Sequence, residues 1–173
     1  HSRDVMFLKE ALRQNGNEFD VGEGGTTLRF LAFRLSRKPG IWKIKGSKRL
    51  LLRPQTEIAQ ILKQLGVKVV INPEYLEIES KGWISNGEIR VDLSESSQFA
   101  SGLLLNAWDL PFELNVGFSE KRVSDGYLDM TLQLLVQAGL EINRSQNKIV
   151  IPPHQKIGTN SISIEPDVSS AFV

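Results

Sequence analysis

Apolar positions recur along the chain with two different periods. Between Asp4 and Gln14, Val5, Leu8 and Leu12 share one helical stripe with Ala11 at its margin, and Gly16 comes next as a stop. Phe19-Asp20-Val21 is short and strand-like. Leu28, Phe30, Leu31, Ala32, Phe33 and Leu35 predict a helix that is apolar nearly all round, and so buried, ended by Pro39-Gly40. Ile41 to Lys45 alternates like a strand with one wet face. Arg53-Pro54 is expected to open the next helix, with proline at its first position. In it Ile58, Ile61, Leu62 and Leu65 recur at helical spacing before Gly66, an amphipathic pattern that belongs on a surface. Val67 to Ile71 and Tyr75 to Glu79, joined by Asn72-Pro73-Glu74, predict a hairpin, and Trp83 to Val91 further strand.

The same order then returns. Phe99 to Trp108 reads as a second buried helix, introduced by Ser96-Ser97-Gln98. Phe112 to Val116 reads as a strand, and Ser124 as the cap of an amphipathic helix carrying Leu128, Leu132, Leu135 and Val136, closed by Gly139. Leu140 to Ile142 and Lys148 to Ile151 predict another hairpin, Ser161 to Ile164 a strand, and Asp167-Val168-Ser169-Ser170 the start of another element. Gln64-Leu65-Gly66-Val67 is matched by Gln137-Ala138-Gly139-Leu140, an offset of 73 residues, and Ser96-Ser97 by Ser169-Ser170 at the same offset. Thr26-Thr27 precedes Ser96-Ser97 by 70 residues. One αβ unit stacked several times is the expected architecture, with the helix at Asp4 to Gln14 as the outer helix of an earlier copy.

Composition narrows the partners. The 173 residues carry a net charge of +1, and a polyanion such as nucleic acid is not the expected partner of so balanced a chain. Any anion recognition must be local. With no cysteine, disulfides, thiolate metal sites and cysteine nucleophiles are excluded, and two histidines, His1 and His154, cannot build a His-rich metal site. Arg34 and Asp109 interrupt the best apolar runs, so no membrane span is expected. A cytoplasmic soluble protein is the default expectation.

Three places carry candidate chemistry. Gly22-Glu23-Gly24-Gly25-Thr26-Thr27-Leu28-Arg29 is glycine-rich, with threonines placed to cap the next helix, but lacks the signatures of a Walker loop and of the dinucleotide fingerprint. Arg53 at a helix start could fork onto a carboxylate or phosphate. Ser96-Ser97-Gln98 places two hydroxyls and an amide at the start of a buried helix, where unpaired N–H groups and the dipole favour an anion. Glu57 and Asp129 lie on helices and read as surface or capping carboxylates. No Ser–His–Asp set is assembled.

Taken in order, Gly22 to Arg29, Arg53-Pro54, Ser96 to Phe99, Ser124 to Thr131 and Asp167 to Ala171 resemble the motifs of the 5-enolpyruvylshikimate-3-phosphate (EPSP) synthase family. The resemblance covers essentially the whole chain. It implies an α/β fold in which each of two inside-out, barrel-like lobes is built from βαβαββ units, with buried parallel helices surrounded by sheets. Residues 1–165 would form most of the N-terminal lobe without its first unit, and 166–173 the start of the next unit or of the second lobe. The implied reaction transfers the enolpyruvyl group of phosphoenolpyruvate to the 5-hydroxyl of shikimate-3-phosphate, releasing phosphate with no metal or cofactor. By resemblance, Ser96, Ser97, Gln98 and Ser124 bind shikimate-3-phosphate and Tyr127 lies against its ring, while Gly25, Arg53 and Gln98 contact phosphoenolpyruvate. The two small molecules are the expected partners, nucleic acid and membrane are not, and the full-length enzyme is expected to be a monomer.

The match has departures. Glu23 stands where the family usually has asparagine, and a carboxylate beside a phosphate is unfavourable without a cation between them. Phe30 replaces a common proline. The N-terminal Lys-Ser…Arg motif and the second lobe's base and phosphoenolpyruvate ligands have no counterpart, so the chain is expected to be inactive alone. The sister transferase acting on UDP-N-acetylglucosamine shares the Arg-Pro motif but usually carries a cysteine in the preceding loop, and residues 46–52 have none. A non-catalytic binding module on the same repeat is the remaining alternative.

Overall fold

The computed structural model describes residues 3–14, 16–85, 87–119, 125–159 and 161–162. The helix α1 (Arg3–Arg13) is succeeded by β1 (Glu18–Asp20), α2 (Gly25–Ser36), β2 (Gly40–Lys45), a one-turn helix α3 (Lys48–Leu51), α4 (Thr56–Gln64), β3 (Lys68–Ile71) and β4 (Tyr75–Ser80). The second series is β5 (Glu88–Val91), α5 (Gln98–Leu104), β6 (Leu114–Phe118), α6 (Asp125–Gln137), β7 (Asn143–Arg144) and β8 (Lys148–Ile151). Each series builds a four-stranded sheet of the same topology, in the orders β1-β2-β4-β3 and β5-β6-β8-β7. In both, the first pair is parallel, with Glu18 opposite Lys43 and Glu88 opposite Asn115, and the remaining pairs are antiparallel. The repeat expected from the 73-residue offset is therefore present as two βαβαββ units.

The helices divide as their apolar patterns require. In α2, Leu28, Leu31, Ala32, Phe33 and Leu35 are all buried, and in α5 so is every residue from Phe99 to Leu104. The two lie side by side at the centre. Their closest approach is at Gly102, where an added Cβ would stand 2.6 Å from the Phe33 ring. The outer helices keep one wet face: α4 buries Ile58, Ile61 and Leu62 and exposes Gln60 and Lys63, and α6 buries Leu128, Leu132 and Leu135 and exposes Met130 and Val136. A shallow groove recurs in both units, formed by Thr56, Ala59, Gln60 and Lys63 with Val69, and by Asp129, Leu132, Gln133 and Val136 with Ile142.

Several local expectations need correction. Helix α4 starts at Thr56, not at Arg53-Pro54, because the Arg53 N–H donates to the Leu50 carbonyl and closes α3. That short helix, capped by Ser47, which accepts from the Leu50 N–H, pushes the Arg-Pro pair into the connection. Only Glu88–Val91 of the stretch from Trp83 is strand. Left-handed Gly82 (φ 96°) and Gly87 (φ 103°) bracket a connection in which the Ile84 N–H goes to Leu65 instead of to a neighbouring strand. Strand β6 lies two residues later than Phe112 to Val116. Strand β7 is Asn143–Arg144, not Leu140 to Ile142, because the Gln155 amide bonds both the N–H and the carbonyl of Glu141. Ser161 and Ile162 have no regular structure, and the rest of the expected strand and the Asp167 to Ala171 motif lie outside the described residues.

Candidate anion-binding site

The first turn of α2 is shaped by its loop. Asp20 Oδ1 accepts the Gly22 N–H at 2.9 Å, and the Gly22 carbonyl accepts the Ser47 N–H at 2.7 Å. Gly22 has φ 57°, a conformation that side chains with a Cβ disfavour. Gly24 is the residue before α2, and a Cβ there would stand 3.0 Å from Thr27 Oγ1. The threonines do not cap this helix; they lie inside its first turn, with Thr27 buried. Arg53, outside α4, lies near the start of α2: its Nη1 is 3.4 Å from where a Gly25 Cβ would be. Glu23 is exposed and has no ion pair among the described residues.

The start of α5 differs from the expected open helix end. Ser97 precedes the helix and is buried, but its side chain makes no cap bond. Ser96 Oγ instead accepts the Gln98 N–H at 3.2 Å. The loop 92–97 is fastened from below, with Ser119 Oγ accepting the Leu93 N–H and donating to Asp92 Oδ1, each at 3.0 Å. Glu57 on α4 accepts the Asp92 N–H at 2.8 Å.

One residue joins the two helix starts. Arg29, one turn into α2, donates from Nη1 to Gln98 Oε1 at 2.6 Å and to Ser96 Oγ at 3.3 Å. Its guanidinium lies 4.6 Å from the centroid of the Phe99 ring. Burial lowers its pKa, the nearby Arg53 charge lowers it further and Glu95 opposes both, but a guanidinium stays ionised. The sequence motif contains Arg29, but its pattern alone assigns this residue no role. A signal is nevertheless present, since Arg29 is a cation in the middle of a helix otherwise apolar on nearly every side, and such a charge needs partners.

Tyr127 is in the first turn of α6 and is 62% exposed. Its carbonyl accepts Thr131 Oγ1 at 2.8 Å, and Thr131 Oγ1 is 2.8 Å from Ser101 Oγ on α5. This buried bridge ties the first turns of α6 to the middle of α5. Ser124 lies outside the described residues. The structure thus brings Gly25 to Arg53, and Ser96 and Gln98 to Arg29. Asp129 pairs with Arg144 at 2.6 Å on the surface, as its helical position suggests. Among the described residues no three His, Asp or Glu side chains converge as metal ligands. What the site offers is N–H and O–H donors beside two guanidiniums, an arrangement for binding anions.

Glu57 gives a pH test of the loop. Burial pushes its carboxyl above the usual range; the Asp92 N–H opposes the rise and the charges of Asp92 and Glu95 add to it. A carboxyl whose pKa is higher folded than unfolded supports the fold fully below its unfolded value, and that support is lost as pH rises through the raised value. Glu57→Gln keeps a carbonyl for the Asp92 N–H. It is expected to be as stable as the parent or more so at pH 7, by up to about 1 kcal/mol given its partial exposure. Its stability should also change less with pH above about 4. Urea unfolding at several pH values checks this, and a less stable variant at pH 7 would contradict it.

A family model, EPSP synthase (3-phosphoshikimate 1-carboxyvinyltransferase), matches residues 5–173. The chain belongs to the EPSP synthase family. It is 32% identical over 157 residues to the 3-phosphoshikimate 1-carboxyvinyltransferase of Methanosarcina mazei, covering 88% of this chain and 36% of that protein. It is 34% identical over 155 residues to that of Buchnera aphidicola, covering 87% and 36%. The EPSP synthase structure from Acinetobacter baumannii superposes with a TM-score of 0.73 at 23% identity, over 91% of this chain and 35% of that one. The chain spans little more than a third of the length of these relatives. In family terms, the Arg29 site is the place where two repeat units present the starts of their inner helices together.

Proposed function

We propose that this chain supplies the shikimate-3-phosphate side of an EPSP synthase. The reaction moves the enolpyruvyl group of phosphoenolpyruvate to the 5-hydroxyl of shikimate-3-phosphate and releases phosphate. Residues 1–165 correspond on this reading to most of one lobe, and 166–173 to the start of the next unit or lobe. The observation that carries the reading is the Arg29 bridge from Ser96 and Gln98 to the first turn of α2, beside Arg53. Ser96, Ser97, Gln98 and Ser124 would hold shikimate-3-phosphate and Tyr127 would cover its ring. Gly25, Arg53 and Gln98 would meet phosphoenolpyruvate. No cofactor or metal is assigned. The enzyme would be a cytoplasmic monomer; among the described residues no helix is long and apolar enough to cross a membrane.

Two outcomes are expected. The chain alone should release no phosphate from phosphoenolpyruvate and shikimate-3-phosphate, since the proposed base belongs to the second lobe. It should still bind shikimate-3-phosphate weakly. Hydrogen bonds to a charged group net about 1.5–3 kcal/mol each, against several kcal/mol of lost association entropy. That balance leaves a dissociation constant around millimolar, on the order of −4 kcal/mol. Ser97→Ala should weaken it about tenfold and Arg53→Ala less. An NMR titration of the three proteins, with a UDP-sugar as the competing ligand, is the test. Arg53→Ala abolishing shifts that Ser97→Ala leaves intact would reverse the division between substrates, and preference for the UDP-sugar would reassign the reaction.

A further inference from the structure

Gln98 has a side-chain amide whose two ends do opposite things: Oε1 accepts and Nε2 donates. Which end faces the ligand decides whether the site attracts an anion. Arg29 carries only donors, so the amide atom 2.6 Å from its Nη1 must be the carbonyl oxygen. The NH2 group is then turned away from Arg29, and it makes no hydrogen bond among the described residues. Ser96 is constrained in the same sense. Its Oγ accepts from Arg29 Nη1 and from the Gln98 N–H, which leaves its own proton to donate elsewhere. The Phe99 face, 4.6 Å away, holds the guanidinium from a third side.

We infer that Arg29 is a positioning residue that fixes the Gln98 amide, and with it the Ser96 hydroxyl, as donors toward an anionic ligand. This deepens the proposed function and rests on its reading of the site as anion-binding. Stability alone does not account for the arrangement. Arg29 Nε is buried without a hydrogen-bond partner among the described residues, and the guanidinium faces the like charge of Arg53. Both features oppose folding, so an apolar side chain of similar length would suit the core at least as well. What such a side chain could not do is hold the amide in one orientation.

The test is a double-mutant cycle on the 15N-labelled chain, titrated with shikimate-3-phosphate and, separately, with inorganic phosphate. The proteins are the parent, Arg29→Met, Gln98→Ala, the double variant and Arg29→Lys. Arg29→Met should melt no lower than the parent yet bind shikimate-3-phosphate about tenfold more weakly, as Gln98→Ala should. The double variant should be no worse than Gln98→Ala, because Arg29 acts through that residue. Arg29→Lys should recover part of the binding. The free proteins give a second readout: the Gln98 side-chain NH2 resonances should shift toward those of an unrestrained amide in Arg29→Met. Losses that add in the double variant, or Gln98 resonances unmoved by Arg29→Met, would overturn the inference. If the parent binds no shikimate-3-phosphate, the functional reading fails, and the resonances still decide the positioning role.

Discussion

Phe33→Ala is expected to destabilise the fold by about 3–5 kcal/mol, the range for emptying a buried aromatic site. For a chain of this size each kcal/mol moves the melting temperature by about 2–4 °C, so a fall of roughly 6–20 °C should be seen by calorimetry. Phe33 is completely buried on α2, and its ring occupies the space that the missing side chain of Gly102 leaves on α5. The inner helices therefore meet along a seam with an aromatic ring on one side and a bare backbone on the other. Removing the ring leaves a cavity that two packed helices cannot close without shifting. Filling the other side should also hurt: Gly102→Ala puts a methyl 2.6 Å from the ring, and overpacking of that kind costs about 1–3 kcal/mol. In a Phe33→Leu background the same change should cost less, since the ring that it strikes is gone. A Phe33→Ala loss below about 1 kcal/mol would mean that α2 and α5 slide together to fill the gap, against the rigidity argued from close packing.

The division between inner and outer helices was legible in the sequence because it depends only on how far round each helix its apolar residues run. The repeat was legible because Gln64 and Gln137, or Ser96 and Ser169, preserve position in a unit of fixed length. The errors fall where tertiary partners replaced local rules. Nothing in Lys48-Arg49-Leu50-Leu51 has the length to reveal a period, yet this single turn moved the start of α4 by removing Arg53 from it. Leu140 to Ile142 has the composition of a strand, but the Gln155 side chain, far along the chain, occupies the backbone groups of Glu141 that a partner strand would need. At the site, residue identities were readable and their connections were not. Ser97 precedes a buried helix as a capping residue should, but the hydroxyl that meets the Gln98 N–H is that of Ser96. The role of Arg29 appears only when α2 and α5 lie together, 69 residues apart in sequence at the contact.

Ser36→Val is expected to cost about 2–4 kcal/mol through a different mechanism, the stranding of buried donors. Ser36 ends α2 and is fully buried. Its Oγ donates to the Phe33 carbonyl and accepts the Trp83 indole N–H, each at 2.9 Å. Its own carbonyl accepts the Ser80 hydroxyl, and Ser80 Oγ in turn accepts the Gly82 N–H at 3.0 Å. This network ties the C-terminal end of α2 to the end of β4 and to the connection that leads into the second unit. Valine at position 36 adds a methyl group to a fully buried site and removes the acceptor, so the indole N–H is left buried with nothing to bond. Trp83→Phe takes away that donor and should itself cost about 1–3 kcal/mol in lost area. In the double variant the two losses should fall short of their sum by about 1 kcal/mol or more, because no stranded N–H remains. Urea unfolding of the four proteins measures the coupling. Additive losses would show that the indole N–H does not depend on Ser36. The functional consequence comes from α2 being a single rigid rod: Arg29 lies seven residues from Ser36, about 10 Å along the axis. Loosening the Ser36 end should let that rod slip against α5, and the Arg29–Gln98 bond at the other end should weaken in the same variant. The Gln98 side-chain amide resonances would report it.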